Sequence, residues 1–380
     1  MAMARLILAL LFLFTALPVQ ALDTAARVAF VMDFNTGTVL MAKNADQPTP
    51  PASMSKLMTL NMVFEALSDG RLSLEDTFRV STKASQKGGS KMFVREGTKV
   101  RIEDLIRGVI VQSGNDACIV LAEGLAGSEE AFAALMTARA LELGMENSHF
   151  VNATGWPDPG QEMSARDLVF LAHRLIDSFP QYYGYFGETT FTWEGIVQNN
   201  RNPLLGLDIG ADGLKTGHTT EAGYGLVGSA VQGDRRIIFM FGGLDSASAR
   251  SVEAERITSW AFREFAMKTL FKGGTNINTT DVWLGAEDRV ELMLADDIEL
   301  LLPLATLKNI TAEYSFQTPV NAPVTLGQTL GELVITIPDM PPLRYPLVAA
   351  TAIKAGGFTE RLSAATELLL LRIRAKTSGL

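Results

Sequence analysis

Ser53 and Lys56 are the first pair of side chains in this sequence whose types and spacing could do chemistry. Residues three apart share one face of a helix, and the apolar spacing from Ser53 to about Leu67 predicts a helix that starts after a proline-rich entry. The positive end of the helix dipole disfavours a cation on Lys56 and favours negative charge developing at Ser53. A neutral lysine could then accept the serine proton, so Ser53 would be a nucleophile that needs no histidine.

A second motif, Ser113-Gly114-Asn115, interrupts a region of helical spacing. This break predicts that Ser113 and Asn115 point into a cleft. The Ser113 hydroxyl could relay a proton to a leaving amine, and the Asn115 amide could hold both a substrate peptide group and Lys56.

A third motif, Lys215-Thr216-Gly217, falls in a segment with a strand pattern. Lys215 would add a second cation that lowers the pKa of Lys56. Thr216 could donate to a substrate carboxylate, and Gly217 would let a substrate backbone approach closely. Each motif alone is common in a chain of this length, but the three occur in the order and on the elements that their joint chemistry needs.

Main-chain groups complete the predicted site. The backbone N–H groups of Ser53 and His218 are candidates for an oxyanion hole, and a strand edge could pair with an extended peptide. The His218 side chain is expected to line the cleft and not to act as the base. No G-x-S-x-G sequence occurs, which argues against the triad of the α/β-hydrolases.

The elements around the motifs predict an α+β domain over residues 22–273. Residues 27–42 and 224–241 each have the pattern of a hairpin, while residues 102–146 indicate several helices and residues 251–271 return to helical spacing. Because strands open and close this region, its two ends are expected to pair in one antiparallel sheet with helices inserted between them.

The C-terminal third has a different character. Residues 274–353 are strand-like and rich in proline, which predicts a small β-sandwich without catalytic residues. Residues 354–380 are expected to form an amphipathic helix, and its basic end favours a helix lying on a membrane surface over one docked on its own domain. The apolar face of this helix comprises Phe358, Leu362, Ala365, Leu369 and Ile373.

Residues 1–21 are typical of a secretory signal, with Arg5 before an apolar run and a small residue, Ala21, at the expected cleavage site. An uncleaved anchor helix is the alternative, and in either case the remaining chain is exported. The single cysteine, Cys118, permits no internal disulfide and is expected to be a small buried residue.

Composition excludes several classes of function. The net charge of −9 argues against nucleic acid as the main partner. With one cysteine and only three histidines, His149, His173 and His218, far apart in the sequence, a metal site is not expected, and the chemistry above needs no cofactor.

The motifs resemble the penicillin-binding protein and β-lactamase superfamily. Three segments are similar in particular to the low-molecular-mass D-alanyl-D-alanine carboxypeptidases: Pro51 to Lys56, Ser113 to Ala117 and Asp212 to Thr219. The order of signal peptide, catalytic domain, β-rich domain and terminal helix resembles them too. The resemblance implies that a peptidoglycan peptide ending in D-Ala-D-Ala acylates Ser53 and that β-lactam antibiotics acylate the same serine.

The resemblance also implies where the protein is located and that an arginine takes part in binding the substrate. The protein would be periplasmic, on the outer face of the cytoplasmic membrane, and an arginine would hold the substrate carboxylate. Arg250 is the first candidate for that arginine and Arg201 is the second.

Three other functions share these motifs. A serine β-lactamase would need a base for fast deacylation, and Glu162 and Glu188, which lie between Asn115 and Lys215, do not form a convincing motif for it. A D,D-endopeptidase would cleave cross-links on the same fold but usually lacks the anchor helix. A β-lactam sensor would be acylated once and stay acylated.

Overall fold

The computed structural model describes residues 22–338, 340–358, 362, 366 and 370, and these divide into one unit that ends at Arg263 and another that begins at Glu264. The predicted signal segment, residues 1–21, lies outside the described residues. So does most of the predicted C-terminal helix, of which Phe358, Leu362, Thr366 and Leu370 have helical backbone. Among the described residues, no helix combines the length and the hydropathy that crossing a bilayer requires.

The first unit opens with a strand pair, contains most of its helices in the middle of the chain and ends with three long strands and a helix. The strands are β1 (Val28–Asp33), β2 (Val39–Lys43), β3 (Thr77–Arg79), β4 (Lys99–Arg101), β5 (Thr190–Trp193), β6 (Ile196–Asn199), β7 (Ala211–Thr219), β8 (Gly223–Gln232) and β9 (Arg235–Leu244). The helices are α1 (Lys56–Ser68), α2 (Thr82–Gln86), α3 (Ile102–Ile110), α4 (Asn115–Ala126), α5 (Glu129–Glu142), α6 (Ala165–Ser178), α7 (Pro180–Tyr183) and α8 (Ala247–Arg263), with 3₁₀ turns at Ala52–Ser55, Gly184–Gly187 and Pro203–Gly206.

The two predicted hairpins, β1–β2 and β8–β9, belong to one five-stranded antiparallel sheet in the order β2-β1-β9-β8-β7. Phe30 of β1 pairs with Met240 of β9, so the two ends of the region meet as the sequence predicted. Helix α6 packs on β1 and β9, while α8 packs on β8 and β9. The predicted α+β class is therefore confirmed, and β7, which carries the third motif, lies at an edge of this sheet.

Helix α4 passes through the centre of the helical region. All its residues from Asn115 to Ala122 are buried, and it packs on α1, α3 and α5. Because α4 starts directly at the second motif, the hydrophobic burial of this helix fixes the position of that motif. Cys118 lies on α4 as a fully buried free thiol, in keeping with the prediction for it.

The division of the chain into two units lies before the predicted domain boundary. Helix α8 ends at Arg263, and the segment with helical spacing up to residue 271 is strand β10 (Phe265–Phe271), which pairs with a later strand, β13 (Ile298–Pro303). The structural boundary between Arg263 and Glu264 therefore precedes the predicted one at residue 273. Strand β10 forms because it pairs with a strand that is distant in sequence, and the local spacing of apolar residues does not reveal such pairing.

The second unit is built from strands, as predicted. Besides β10 and β13, it contains β11 (Asn276–Trp283), β12 (Arg289–Leu294), β14 (Thr311–Phe316), β15 (Val320–Asn321), β16 (Thr329–Thr336) and β17 (Leu343–Ala349), with a 3₁₀ turn at Leu304–Asn309. Six of its strands form a sheet in the order β14-β16-β17-β12-β11-β15, and β10 pairs with β13 in a two-stranded sheet. Its own core includes Leu292, Leu333 and Leu347.

Candidate active site

Ser53 lies in a single 3₁₀ turn, Ala52–Ser55, and Lys56 is the first residue of α1. The lysine Nζ lies 2.9 Å from Ser53 Oγ. The predicted pairing of the two side chains across one helical turn is therefore present. Ala52, at the start of the turn, has a φ of 48°, a backbone conformation that residues with a side chain rarely adopt.

The Lys56 amine has two further oxygen neighbours. Its Nζ donates to Asn115 Oδ1 at 2.8 Å and to the backbone carbonyl of Thr154. A neutral amine has two N–H bonds and one lone pair. When the two N–H bonds point at Asn115 and Thr154, the lone pair faces the Ser53 hydroxyl, which is the orientation that a general base needs.

Burial sets the protonation of both lysines in the cleft. The Lys56 side chain is completely buried, and this burial lowers its pKa to about 8, with the charges of Arg201 and Lys87 acting in the same direction. Burial also lowers the pKa of Lys215 well below its ordinary value, and the nearby charge of Lys56 lowers it further. The Lys56 charge therefore opposes a second charge on Lys215, and a pKa of about 8 leaves about a tenth of the Lys56 amine neutral at pH 7.

The second motif occupies the short connection between α3 and α4. Ser113 has a φ of 60°, and its Oγ accepts a hydrogen bond of 2.9 Å from Lys215 Nζ. Asn115 also donates from Nδ2 to the Gly88 carbonyl at 2.9 Å, and its backbone N–H donates to Ser90 at 2.8 Å. The motif thus joins the lysine of the first motif to the lysine of the third.

Strand β7 brings the third motif against the Ser53 turn. A Cβ on Gly217 would lie 2.9 Å from the Pro51 carbonyl oxygen and 3.2 Å from Ala52 Cβ. Glycine therefore allows a close approach to the Ser53 turn here, and the approach of a substrate backbone to Gly217 stays a prediction. Thr216 is buried beside it, and its contact with a substrate carboxylate stays a prediction, as does the oxyanion hole from the N–H groups of Ser53 and His218.

His218 follows this motif on β7, and its side chain is exposed. Its ring stacks on that of Tyr224, the residue opposite it on β8, with centroids 3.8 Å apart and planes at 27°. The stacked position suits a wall of the cleft, as the sequence predicted for this side chain.

Both candidate arginines lie near Lys215, since the charge of each lowers the pKa of that lysine. Arg201 Nη1 donates to Ser90 Oγ at 2.6 Å, and the Arg250 guanidinium lies over the Tyr224 ring at 5.7 Å. Within the described residues neither arginine has an ion-pair partner, and burial lowers the pKa of both. Arg250 is partly buried and Arg201 is exposed, and two cations without a counter-ion are suited to an anionic ligand.

Glu162 and Glu188, the glutamates between the second and third motifs that a β-lactamase could use, have other environments. Glu188 forms an ion pair with Arg107 at 2.9 Å. Glu162 is exposed, and its backbone pairs with that of His149. The Cys118 thiol lies near both cleft lysines, but burial raises its pKa to about 12, so it is a neutral thiol and a poor nucleophile at neutral pH.

Sequence reasoning missed three groups of this site. They are the Thr154 carbonyl, the Gly88–Ser90 segment against Asn115, and the Tyr224 ring. Backbone carbonyls have no signature in a sequence, so the first two could not be found there. Tyr224 could have been found, because the hairpin register places it opposite His218.

Comparison with known proteins gives the family. The D-alanyl-D-alanine carboxypeptidase family of serine peptidases matches residues 15–243. The chain belongs to this family. Residues 265–355 match the C-terminal domain of penicillin-binding protein 5, which agrees with the β-rich second unit. The resemblance stated from the three motifs is thereby confirmed.

Individual relatives cover between about two thirds and nine tenths of the chain. The D-alanyl-D-alanine carboxypeptidase DacD of Salmonella typhimurium is 37% identical over 351 residues, which cover 90% of each protein. The crystal structure of DacD from Francisella tularensis has 30% identity and a TM-score of 0.78, covering 88% of this chain and 95% of that one. Penicillin-binding protein D2 of Listeria monocytogenes, in its ampicillin-bound form, has 31% identity and a TM-score of 0.59, covering 64% and 99% respectively.

Proposed function

We propose that Ser53 is the nucleophile with which this serine-type D-Ala-D-Ala carboxypeptidase removes the terminal D-alanine from peptidoglycan pentapeptides. The observation that carries the proposal is the buried Lys56 amine, 2.9 Å from Ser53 Oγ, with two oxygen acceptors for its N–H bonds. That arrangement provides a base of lowered pKa beside a hydroxyl, which is what an acyl-transfer reaction requires.

In acylation, Ser53 Oγ attacks the carbonyl carbon of the penultimate D-alanine while Lys56 accepts the hydroxyl proton. The N–H groups of Ser53 and His218 would stabilise the tetrahedral oxyanion. The carbon–nitrogen bond then breaks, and the leaving amine takes a proton from the Ser113 hydroxyl. Ser113 regains a proton from Lys215, and the proton that Lys56 took from Ser53 replaces the one that Lys215 gave. The proton that left Ser53 is thus accounted for on the departing D-alanine.

In deacylation, a water molecule attacks the ester carbonyl. Lys56 accepts the proton of the water and returns it to Ser53 Oγ as the acyl–oxygen bond breaks. The products are the shortened peptide and the original enzyme. No metal or other cofactor is needed for either half of the reaction.

The free carboxylate of the terminal D-alanine would bind at Thr216, Arg201 and Arg250. The two arginines support this assignment because neither cation has an ion-pair partner in the described part of the chain; Arg250 is partly buried and Arg201 is exposed. Planar guanidinium groups bind carboxylates through paired hydrogen bonds. Recognition of that carboxylate would separate a carboxypeptidase, which needs a free chain end, from an endopeptidase.

β-Lactam antibiotics would acylate the same serine. The attack of Ser53 opens the lactam ring, so the leaving nitrogen stays attached to the acyl group and slows the approach of water. The ampicillin-bound state of the Listeria relative supports this partner. Glu188, paired with Arg107, offers no free carboxylate for the fast deacylation of a β-lactamase.

The location that fits this substrate is the periplasm, at the outer face of the cytoplasmic membrane. The signal-like residues 1–21 and the amphipathic spacing of residues 354–380 support export and attachment by a helix lying on the membrane surface.

Mass spectrometry of the purified protein after incubation with penicillin tests this function, with release of D-alanine from a D-Ala-D-Ala peptide measured in parallel. We expect a lasting adduct on the wild type, no adduct on Ser53→Ala, and D-alanine release by the wild type only. An adduct lost within seconds would indicate a β-lactamase, and a lasting adduct without peptide turnover would indicate a sensor. The absence of any adduct would refute Ser53 as the nucleophile.

A further inference from the structure

Tyr224 contacts two side chains of the site that come from different elements. Its ring stacks on His218 of β7 with centroids 3.8 Å apart, and the Arg250 guanidinium of α8 lies over the same ring at 5.7 Å. We propose that Tyr224 is a positioning residue that holds Arg250 where it binds the terminal carboxylate of the substrate. The inference rests on the proposed function and extends it to the source of carboxylate specificity.

Arg250 needs an external constraint because little else holds it. It lies in the first turn of α8, where its backbone N–H donates to Ser246 at 3.0 Å. Its side chain has no hydrogen bond or ion pair within the described residues, and its Nε is buried without a partner. An arginine side chain loses much rotational freedom when it is fixed, so a free guanidinium would bind a ligand at an entropic cost.

An aromatic ring can hold this cation without neutralising it. A guanidinium over a ring is attracted by the negative face of the π-system. Its N–H bonds, which lie in the guanidinium plane, stay available for a bidentate carboxylate. An aspartate or glutamate in the place of Tyr224 would hold Arg250 as well, but it would compete with the substrate carboxylate for the same N–H groups.

The stack on His218 anchors the ring itself. Tyr224 and His218 are direct partners in the register of β7 and β8, so the ring is fixed relative to the strand that carries Lys215 and Thr216. A chain of contacts therefore runs from the third motif through Tyr224 to Arg250. These contacts would let the sheet fix the distance between the Arg250 guanidinium and Ser53.

The test compares Tyr224→Leu and Tyr224→Gln with Tyr224→Phe, which keeps the ring. Each variant is assayed on a D-Ala-D-Ala peptide and on the same peptide with a C-terminal amide, and its acylation by penicillin and by penicillin methyl ester is measured. For the two non-aromatic variants we expect about a tenfold rise in KM, or a similar fall in penicillin acylation rate, only for the ligands with a free carboxylate. The Phe variant should match the wild type.

A matched control removes a similar contact elsewhere in the same unit. Arg107 lies over the Tyr185 ring at 4.8 Å, and Tyr185→Leu should leave the carboxylate preference unchanged. In an Arg250→Ala background, Tyr224→Leu should have no further effect on KM, because the group that it positions is gone.

Two outcomes would overturn the role of Tyr224: equal losses for the acid and amide ligands, or additive losses in the double variant. Absence of peptide turnover by the wild type would instead refute the proposed activity. In that case the comparison of acylation by penicillin and by penicillin methyl ester still tests the role of Tyr224.

Discussion

The Nζ of Lys56 lies 2.8 Å from Oδ1 of Asn115, a residue of another helix 59 positions further along the chain. The partner of the buried amine is thus a neutral amide. An amide oxygen favours the charged lysine less than a carboxylate would, so burial remains the largest influence on the pKa and lowers it to about 8. Two predictions follow from this choice of partner.

The first concerns the pH dependence of acylation. The neutral amine is the active form of Lys56, and its fraction falls about tenfold for each pH unit below the pKa. The acylation rate constant of the wild type with penicillin should therefore rise with pH and level off above about 8. Stopped-flow measurements from about pH 6 to about pH 10 test this. A rate that falls over this range would exclude the amine as the base.

The second concerns Asn115→Asp, which keeps the shape and adds a negative charge next to Lys56. A carboxylate at hydrogen-bond distance favours the charged lysine, so the midpoint of the acylation profile should move to higher pH by about one unit or more. Asn115→Ala is the control: it removes the acceptor without adding charge, so it should slow acylation without that alkaline shift. Coinciding profiles for the two variants would show that the charge of the partner is unimportant.

The sequence was sufficient to predict the antiparallel sheet and that the three motifs lie close together. The hairpin patterns around Gly37 and Gly233 are local, and closing the sheet between β1 and β9 buries apolar residues such as Phe30 on both sides. The three motifs could be recognised because each contains side chains whose functional groups suit one joint chemistry.

What could not be predicted depends on contacts between distant backbone segments. The Thr154 carbonyl accepts from Lys56 through its main chain, so any residue at that position could do the same. Strand β10 was predicted as helix because its pairing with β13 is decided some thirty residues later in the chain. The sequence shows that position 217 is a glycine, but only the three-dimensional structure shows that the Ser53 turn packs against it.

A further prediction concerns the two arginines. If they bind the terminal carboxylate, Arg250→Ala and Arg201→Ala should each raise KM for a D-Ala-D-Ala peptide by about 10- to 100-fold, the value of a charged hydrogen bond. The rates for the corresponding peptide amide should change little. Steady-state kinetics on the two peptides test this. Arg166→Ala, which breaks an exposed ion pair with Asp46, is the control.

Gly155 offers a test of how the Thr154 carbonyl is held. Its φ is 75°, and an added Cβ would lie 1.8 Å from the Ala52 carbonyl oxygen, in the turn that carries Ser53. Gly155→Ala should therefore cost about 2 kcal/mol or more of unfolding free energy and also slow acylation. Gly37 has a similar φ of 69° but open space around it.

Gly37→Ala is the matched control, because it places a side chain on a residue with a similar positive φ but without a contact to the Ser53 turn. It should cost about 1–2 kcal/mol from the left-handed conformation alone and leave the acylation rate unchanged. Denaturant unfolding together with penicillin acylation separates the two effects. Equal acylation rates in both variants would show that the contact between Gly155 and the Ser53 turn does not position the nucleophile.

The last prediction concerns attachment to the membrane. Phe358 and Leu362 have helical backbone and are 80% and 57% exposed, so two large apolar side chains of the predicted amphipathic face are available to a lipid surface. A chain that ends at Gly356 should leave the membrane fraction and keep its activity on small peptides. In the full-length chain, Leu362→Asp should weaken sedimentation with anionic vesicles, whereas Thr366→Ser, a mild change at an exposed helical position, should not. Loss of peptide activity on truncation would instead indicate that this segment docks on the protein.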